Sequence, residues 1–275
     1  MQAREELQAE VEAIPWYHTI DLGDGIVTPG MSQQADSVDR NLLPNFEART
    51  VLDIGAWDGY YSFLAEREGA KAVTALDHYA WGVDIEARQA YWDECKRKGV
   101  LPDHDRDATD FYNPDLPGRR GFELAKRALS SGVEPVVADF ATMDLATLGE
   151  FDVVLYLGVL YHMKEPLGCL ERVRAVTREV AVIETVAMHL PDFPNRSYIE
   201  FFPGGELNND FGNWYVPTIE ALRGWAMAAG FSRTEIKQGP PPVAAPPMMQ
   251  VIKNRIRGKS QSPVSYYRAI IQAWV

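Results

Sequence analysis

The sequence has few cysteines, no long apolar run and a deficit of basic residues, and each shortage argues against a class of protein. Its two cysteines, Cys95 and Cys169, are far apart and belong to no CxxC pair or histidine cluster. This spacing argues against a disulfide framework and a structural zinc site. We expect two buried or incidental thiols.

No apolar run approaches the roughly 18 residues that a membrane-spanning helix requires. The first residues, MQAREELQAEVEAIPW, are charged and helix-prone, and they lack the basic start and apolar centre of a signal peptide. The 275 residues are 46% hydrophobic, which is enough for one sizeable core. We therefore expect a soluble, cytoplasmic, globular protein with no membrane partner.

Acidic residues outnumber basic ones, and the formal net charge is −12. Binding to a phosphate backbone requires a concentrated basic surface, whereas the basic stretches 120–127 and 253–259 are short and are best explained as solvated faces. The charge balance disfavours nucleic acid as a partner and favours a small molecule. The sequence gives no indication of oligomeric state.

The chain is divided into three parts by its pattern. Residues 1–47 contain a predicted helix at 1–13 and an aromatic, glycine-rich capping segment, residues 48–258 form the main domain, and residues 259–275 form a tail or helix. The main domain carries insertions at about 80–130 and 190–215, and long insertions of this kind are often functional.

Short apolar strands alternate with helices from Val51 onward, a pattern typical of a parallel sheet covered on both faces. Pro217 and Gly230 fit the start and stop of a late helix. The segments FSRTEIKQ and MMQVIKN are candidate strands for an antiparallel final pair.

The stretch TVLDIGAWDGYYSF joins a strand ending in Asp53 to a glycine turn and a helix. Glycines at 55 and 59 allow a ligand to approach the backbone N–H groups. A second strand ends at Asp77, where a carboxylate can accept hydrogen bonds from two ribose hydroxyls. Trp57 stands where a dinucleotide fingerprint has glycine, so the pattern favours an adenosine ligand without a diphosphate.

The next strand-end signals extend this pattern. The segment VVADF places Asp139 and Phe140 to meet an adenine, and FDVVLYLGVLYH supplies a fourth strand and its loop. With these motifs in order, residues 48 to about 255 resemble the class I S-adenosylmethionine-dependent methyltransferases. Within them, GVLYH, the WY.PT...L segment and the general layout are most similar to the group that includes the tRNA wobble-uridine (carboxy)methyltransferases.

The resemblance implies an α/β, Rossmann-like fold with a seven-stranded, mostly parallel sheet, an antiparallel last strand and helices on both faces. It also implies S-adenosylmethionine as the cofactor. The contacts it implies are at Gly55, Ala56, Trp57, Gly59, Asp77, Asp139, Phe140 and Leu157. We add the neighbouring Asp53 and His78 as cofactor-binding candidates.

Methyl transfer is an in-line displacement that needs a positioned nucleophile and, for a hydroxyl acceptor, removal of a proton. His162 in LYHMKEP is the first candidate for the base, although it could equally bond a loop and shape the site. Tyr161 is a candidate hydrogen-bonding phenol or a core aromatic. His18 and Glu184 are further acid or base candidates, with structural roles as their alternatives.

Substrate contacts are predicted in the capping segment and in the second insertion. Their alternatives are a structural brace and turn formation. The candidates are Trp16, Tyr17, Glu200, Asn208, Asn209, Asp210, Asn213, Trp214 and Tyr215. The acidic run at 102–110 has no ligand spacing, so we predict no metal.

The leading hypothesis is a methyltransferase that acts on a small polar acceptor, such as a sugar or natural product, most simply by His-assisted O-methylation. A tRNA wobble-uridine modifying enzyme is the alternative in the same fold. We find no convincing basic residue before the fold to pair with a carboxylated sulfonium cofactor, which favours ordinary S-adenosylmethionine. A noncatalytic cofactor-binding homologue is the third hypothesis.

Overall fold

A computed structural model describes residues 2–31, 38–113, 117–242 and 264–275. The predicted strand MMQVIKN at 248–254 and the basic stretch 253–259 lie outside these ranges. The helices are α1 Gln2–Glu12, α2 Tyr60–Arg67, α3 Tyr79–Gly82, α4 Ile85–Lys98, α5 His104–Thr109, α6 Arg120–Ala128, α7 Pro166–Ala175 and α8 Ile219–Ala228. The strands are β1 Thr50–Ile54, β2 Ala72–Asp77, β3 Glu134–Val137, β4 Phe151–Leu157, β5 Thr177–His189, β6 Ile199–Phe201, β7 Tyr215–Pro217, β8 Arg233–Gln238 and β9 Ser265–Trp274.

Seven of the described strands form one sheet in the order β3-β2-β1-β4-β5-β9-β8. The β1 strand pairs in parallel with β2 and β4, and β2 pairs in parallel with β3. Val51, Leu52 and Ile54 of β1 are buried, as expected for a central parallel strand covered on both faces. The predicted fold class is thus confirmed.

The antiparallel part of the sheet corrects the prediction for the C-terminus. Residues 259–275 were expected to be a tail or helix, but Ser265–Trp274 is strand β9, paired antiparallel with both β5 and β8. Ile270 and Ile271 are buried. The segment SYYRAIIQAW is rich in aromatic and β-branched residues, which fit a pleated surface better than a helix.

The chain divides into two compact units. The first comprises Met1–Tyr156 and Val176–Glu179, and the second comprises Leu157–Ala175 and Val180–Val275. The insertion predicted at 80–130 forms α3 to α6 in the first unit, and the one at 190–215 contains β6 and reaches β7 in the second. The predicted domain bounds at 47/48 and 258/259 stay predictions.

Local signals explain where the helices begin and end. The predicted N-terminal helix is α1, with Val11 buried. Helix α8 is capped by Thr218, whose side chain accepts from the Ala221 N–H, and Gly230 follows it with φ 99°. Pro217 therefore ends β7 rather than starting the helix. No described helix combines the length and apolar character needed to cross a bilayer.

Candidate active site

The glycine turn after β1 uses its own amide groups internally. The Gly55 and Ala56 N–H groups donate to the Leu76 carbonyl at 2.8 and 3.2 Å, and Gly59 N–H donates to the Ala56 carbonyl at 2.7 Å. We expected these amides to face a ligand, so this expectation is corrected. A turn with its amides already bonded offers no cradle for a diphosphate, which favours a cofactor without phosphate.

Packing alone requires a glycine at position 59, and cofactor contact by this residue stays a prediction. Its φ is 84°, and a Cβ there would lie 2.6 Å from the Phe63 ring and 2.7 Å from the Phe122 ring. Only glycine meets both the backbone conformation and the close approach. This residue therefore fixes where α2 begins.

Asp77 closes the turn from the end of β2. Its Oδ2 accepts from the Trp57 N–H at 2.9 Å and its Oδ1 from the Ala80 N–H at 2.8 Å. Burial raises the pKa of Asp77 to about 6, so the carboxylate is largely ionised at neutral pH. The backbone N–H groups of Trp81 and His78 also stabilise this carboxylate. An ionised carboxylate at a strand end suits the diol of a ribose, and in this respect the site fits S-adenosylmethionine.

Trp57 is held on three sides. Its φ is 49°, in the left-handed region, where a bulky residue needs support. Its N–H is bound by Asp77, its carbonyl accepts from the Trp81 indole at 2.7 Å, and its ring stacks on Tyr17 at 4.4 Å. Trp81 was not predicted, because its indole reaches the turn from a helix 24 residues later in the chain.

Asp58, which sequence reasoning missed, fastens the capping segment to the glycine turn. Its Oδ2 accepts from the backbone N–H groups of Tyr17 at 2.6 Å and His18 at 2.9 Å. Trp16 is buried and donates its indole N–H to the Val11 carbonyl. The segment therefore has the bracing role that was one of its two predicted alternatives, and substrate contact by Trp16 and Tyr17 stays a prediction.

His18 is a buried, neutral histidine. Its ring stacks on Tyr60 at 5.6 Å, and its Nδ1 lies 3.8 Å from Asp58 Oδ2. Burial lowers its pKa to about 4. A base this weak is poorly matched to proton abstraction near neutral pH.

The other cofactor-binding candidates of the first unit, Asp53, His78, Asp139 and Phe140, are in contact with neighbouring residues or buried. Asp53 is buried and accepts from Ser62 Oγ at 2.6 Å, so it braces α2 from within the core. His78 stacks on Tyr112 at 4.7 Å. The Asp139 carboxylate accepts from the Ala141 N–H and the Thr142 hydroxyl, and Phe140 is buried.

In the second unit, a buried ion pair flanks the turn after Leu157 and Gly158. Glu184 on β5 is 2% exposed, and Arg268 on β9 donates to it through Nη2 at 2.5 Å and also contacts it through Nε. The β5/β9 register puts these residues diagonally opposite on one face. Arg268 was not predicted, because β9 was interpreted as a tail or helix.

Tyr161 lies against this pair. Arg268 Nη1 approaches the Tyr161 hydroxyl at 3.5 Å, and its guanidinium lies 5.4 Å from the centre of the Tyr161 ring. Burial raises the pKa of Tyr161, so its phenol is a neutral hydrogen-bonding group. The Glu184 carboxylate is bound by the Arg268 guanidinium. Its contacts therefore fit the role of an ion-pair partner better than that of a base.

His162 is oriented by the loop that precedes β7. Its Nδ1 lies 3.0 Å from the Gly212 carbonyl. A carbonyl only accepts, so Nδ1 carries the proton in the neutral ring and Nε2 is the basic nitrogen. Both roles predicted for His162, bonding a loop and acting as a base, use different atoms of the same ring.

The predicted substrate loop is built around turns. Asn208 and Asn209 have φ of 57° and 59°, and Asp210 accepts from the Gly212 N–H at 2.6 Å. Asn213 is buried and donates to the Leu207 carbonyl. These four residues therefore have the turn-forming contacts that were the alternative to substrate binding, and substrate contact by them stays a prediction.

The aromatic residues of this loop are more accessible. Trp214 and Tyr215 are half-buried. The Phe201 ring is stacked with the Trp214 ring at 6.4 Å between centres, and the Lys164 ammonium lies 5.3 Å from the Trp214 ring centre. Glu200 accepts from the Tyr266 hydroxyl at 2.7 Å. Trp214 and Tyr215 are therefore the better-placed candidates for contact with a ring-shaped substrate.

Comparison with known proteins agrees with this fold. Residues 31–236, about three quarters of the chain, match a family model described as a methyltransferase domain. The N-terminal domain of EvdMO1 with SAH bound is 18% identical, has a TM-score of 0.59 and covers 100% of this chain and 98% of that one. At this identity the likeness shows the fold alone.

Two curated relatives are tRNA U34 carboxymethyltransferases. The one from Pseudoalteromonas translucida (strain TAC 125) is 27% identical over 71% of this chain and 49% of its own length. The one from Helicobacter pylori (strain G27) is 25% identical over 72% of this chain and 61% of its own. The chain thus spans about half the length of the curated relatives it matches. From the family match and the fold, the chain belongs to the methyltransferase-domain family as a class I S-adenosylmethionine-dependent methyltransferase.

Proposed function

We propose that the protein methylates an oxygen atom of a small polar acceptor, such as the hydroxyl of a sugar or natural product. The observation that carries this proposal is the bond between His162 Nδ1 and the Gly212 carbonyl. It fixes the ring and makes Nε2 the basic nitrogen. A hydroxyl nucleophile needs such a base, because its proton must leave as the new bond to carbon forms.

S-adenosylmethionine, when bound, supplies an electrophilic methyl group. In this proposal Asp77 accepts hydrogen bonds from the ribose hydroxyls, and Phe140 provides an apolar face for the adenine. His162 Nε2 accepts the proton of the acceptor hydroxyl, and the Tyr161 phenol orients a polar group nearby. Trp214 and Tyr215 offer aromatic faces to the acceptor ring.

The test measures transfer of a labelled methyl group to a panel of sugars, hydroxylated natural products and a tRNA transcript. The key variant is His162→Asn, whose side-chain amide can still donate to the Gly212 carbonyl but cannot accept a proton near neutral pH. We expect kcat to fall about 10²- to 10⁴-fold, with affinity for S-adenosylhomocysteine changed less than about twofold.

Exposed Asp24→Asn is the matched control for a substitution that introduces asparagine. A His162→Asn enzyme with nearly wild-type kcat on the best acceptor would remove the proposed base. Transfer to no compound, in protein that binds S-adenosylhomocysteine, would favour a noncatalytic homologue.

Modification of a tRNA wobble uridine is the second candidate, because the curated relatives carry that activity in their names. The net charge of −12 opposes it. A carboxylated cofactor would also need an available cation, and the charge of Arg268 is already matched by Glu184. Transfer to the tRNA transcript alone would select this candidate.

A further inference from the structure

We propose that Asp58 is a positioning residue that fastens the Trp16–His18 segment over the glycine turn, and that His18 and Asp58 together keep this closure nearly independent of pH. Neither residue is required by the methyl-transfer chemistry above. The proposal concerns the first unit only and rests on contacts within it.

The geometry of the fastening is specific. A single oxygen, Asp58 Oδ2, accepts from two consecutive backbone amides, Tyr17 at 2.6 Å and His18 at 2.9 Å. Asp58 is 4% exposed, and a Cβ on Gly121 of α6 would lie 2.8 Å from Oδ1. Buried amides that lose their acceptor carry a desolvation cost, so the segment has a strong preference for this place.

The contact between Asp58 and the segment is connected to Asp77 through Trp57. Asp58 fixes the backbone of Tyr17, and the Tyr17 ring stacks on Trp57 at 4.4 Å with an interplanar angle of 23°. The Trp57 N–H in turn donates to Asp77, the carboxylate assigned to the ribose. Release of the segment therefore removes a support of the residue that orients Asp77.

The segment is itself a folded unit with internal hydrogen bonds of its own. Thr28 Oγ1 donates to the His18 carbonyl and accepts from the Ile20 N–H, both at 2.7 Å. Gly30 passes so close to His18 that a Cβ would lie 2.3 Å from its carbonyl carbon. Thr28 and Gly30 hold the shape of the loop, whereas Asp58 attaches the loop to the turn.

The closed form is the state in which Asp58 holds the Trp16–His18 segment on the glycine turn. Burial in this form shifts the pKa values of Asp58 and His18 in opposite directions. Burial raises the pKa of Asp58 from 3.8 to about 6, so acidification favours the closed form through Asp58. Burial lowers the pKa of His18 from 6.5 to about 4, so acidification disfavours the closed form through His18. Asp58 also faces Asp77, whose charge adds to the rise of its pKa. The two dependences largely cancel between about pH 4 and 6.5.

The test is hydrogen exchange at the Tyr17 and His18 amides, expressed as protection relative to the intrinsic rate at each pH. We compare wild type with Asp58→Asn, Asp58→Ala and His18→Phe, and use Asp24→Asn as the control. In Asp58→Asn, the side-chain oxygen can still accept hydrogen bonds from the Tyr17 and His18 amides. Phenylalanine keeps the ring on Tyr60 and loses no hydrogen bond at Nδ1, which has no hydrogen-bond partner among the described residues and lies 3.8 Å from Asp58 Oδ2.

From pH 7.0 to 5.5 we expect wild-type protection to change less than about threefold. Protection should fall roughly eightfold in Asp58→Asn and rise roughly fourfold in His18→Phe, as the two pKa shifts taken alone require. At pH 7.0, Asp58→Ala should lose at least about tenfold protection and Asp58→Asn should not. If protection changed with pH in the same direction in Asp58→Asn and His18→Phe, the proposed compensation would be wrong.

Calorimetric titration with S-adenosylhomocysteine tests the positioning role. We expect Asp58→Ala to weaken binding about tenfold, and Asp58→Asn to stay within about threefold of wild type at pH 7.0. Reduced protection in Asp58→Ala with unchanged affinity would overturn the positioning role. Protection of the β1 amides at 51–54 reports folding in every variant, so an unfolded variant is recognised directly.

Discussion

At the scale of single residues, Gly59 carries a steric requirement that can be measured. Gly59→Ala combines a left-handed backbone with a Cβ 2.6 Å from the Phe63 ring. Strain of about 1 kcal/mol or more and overpacking of about 1–3 kcal/mol add together, so we expect the free energy of unfolding in urea to fall by about 3 kcal/mol.

Gly99→Ala is the matched control for Gly59→Ala. Gly99 has φ 68° and no atom within 4 Å of an added Cβ, so only the backbone strain of about 1 kcal/mol applies. Equal losses in the two variants would show that the rings of Phe63 and Phe122 move aside without cost.

Residue types were easier to predict than their partners. The sequence placed Asp77 at a strand end, and the structure puts it there. The sequence did not indicate that both Asp77 oxygens bind backbone amides or that Asp58 reaches across 40 residues to His18. Such contacts depend on how the loops return to the turn, and no local pattern encodes that return.

At the scale of elements, strand β9 is held to β5 by the Glu184–Arg268 pair. The Glu184 side chain is 3% exposed and that of Arg268 is 27% exposed. Arg268→Met would leave a buried carboxylate without its cation, and removing one partner of such a pair costs about 3–5 kcal/mol. We expect a loss near 3 kcal/mol in urea unfolding, because Arg268 is partly exposed.

The double variant Glu184→Met/Arg268→Met separates lost pairing from lost packing. Replacing both charges with apolar side chains of similar size is often close to neutral, so most of the stability should return. A double variant as unstable as Arg268→Met would show that the charges themselves are not the cause.

Elements with a strong local pattern were predicted well. The parallel strands β1, β2 and β4 and helix α1 were expected where they occur. Strand β9 was missed because an exposed aromatic and arginine interrupt its apolar residues, so the pattern resembled a docked tail. Its strand identity comes from pairing with β5 and β8, which is information outside the segment.

At the scale of the whole molecule, buried carboxylates govern how stability changes with pH. Burial raises the pKa of Asp53 to about 7 and those of Asp58 and Asp77 to about 6. Each folded-state pKa lies above the ordinary value, so each group stabilises the protein at low pH and loses that contribution as pH rises through the folded pKa. His18 and His78 act in the opposite sense, because burial lowers the pKa of each.

The three carboxylates outweigh the two histidines between pH 7.5 and 5.5. We expect the free energy of unfolding to rise by an amount on the order of 2 kcal/mol on acidification across this window, and the net charge of −12 adds to the trend because its self-repulsion weakens as protons bind. Urea unfolding at pH 5.5, 6.5 and 7.5 measures the change. Asp53→Asn, which can still accept from Ser62, should flatten the curve most, since Asp53 has the largest shift. A wild-type stability that falls steadily from pH 7.5 to 5.5 would mean that these carboxylates are solvated or paired in the folded protein, and the burial described for the turn would then be wrong.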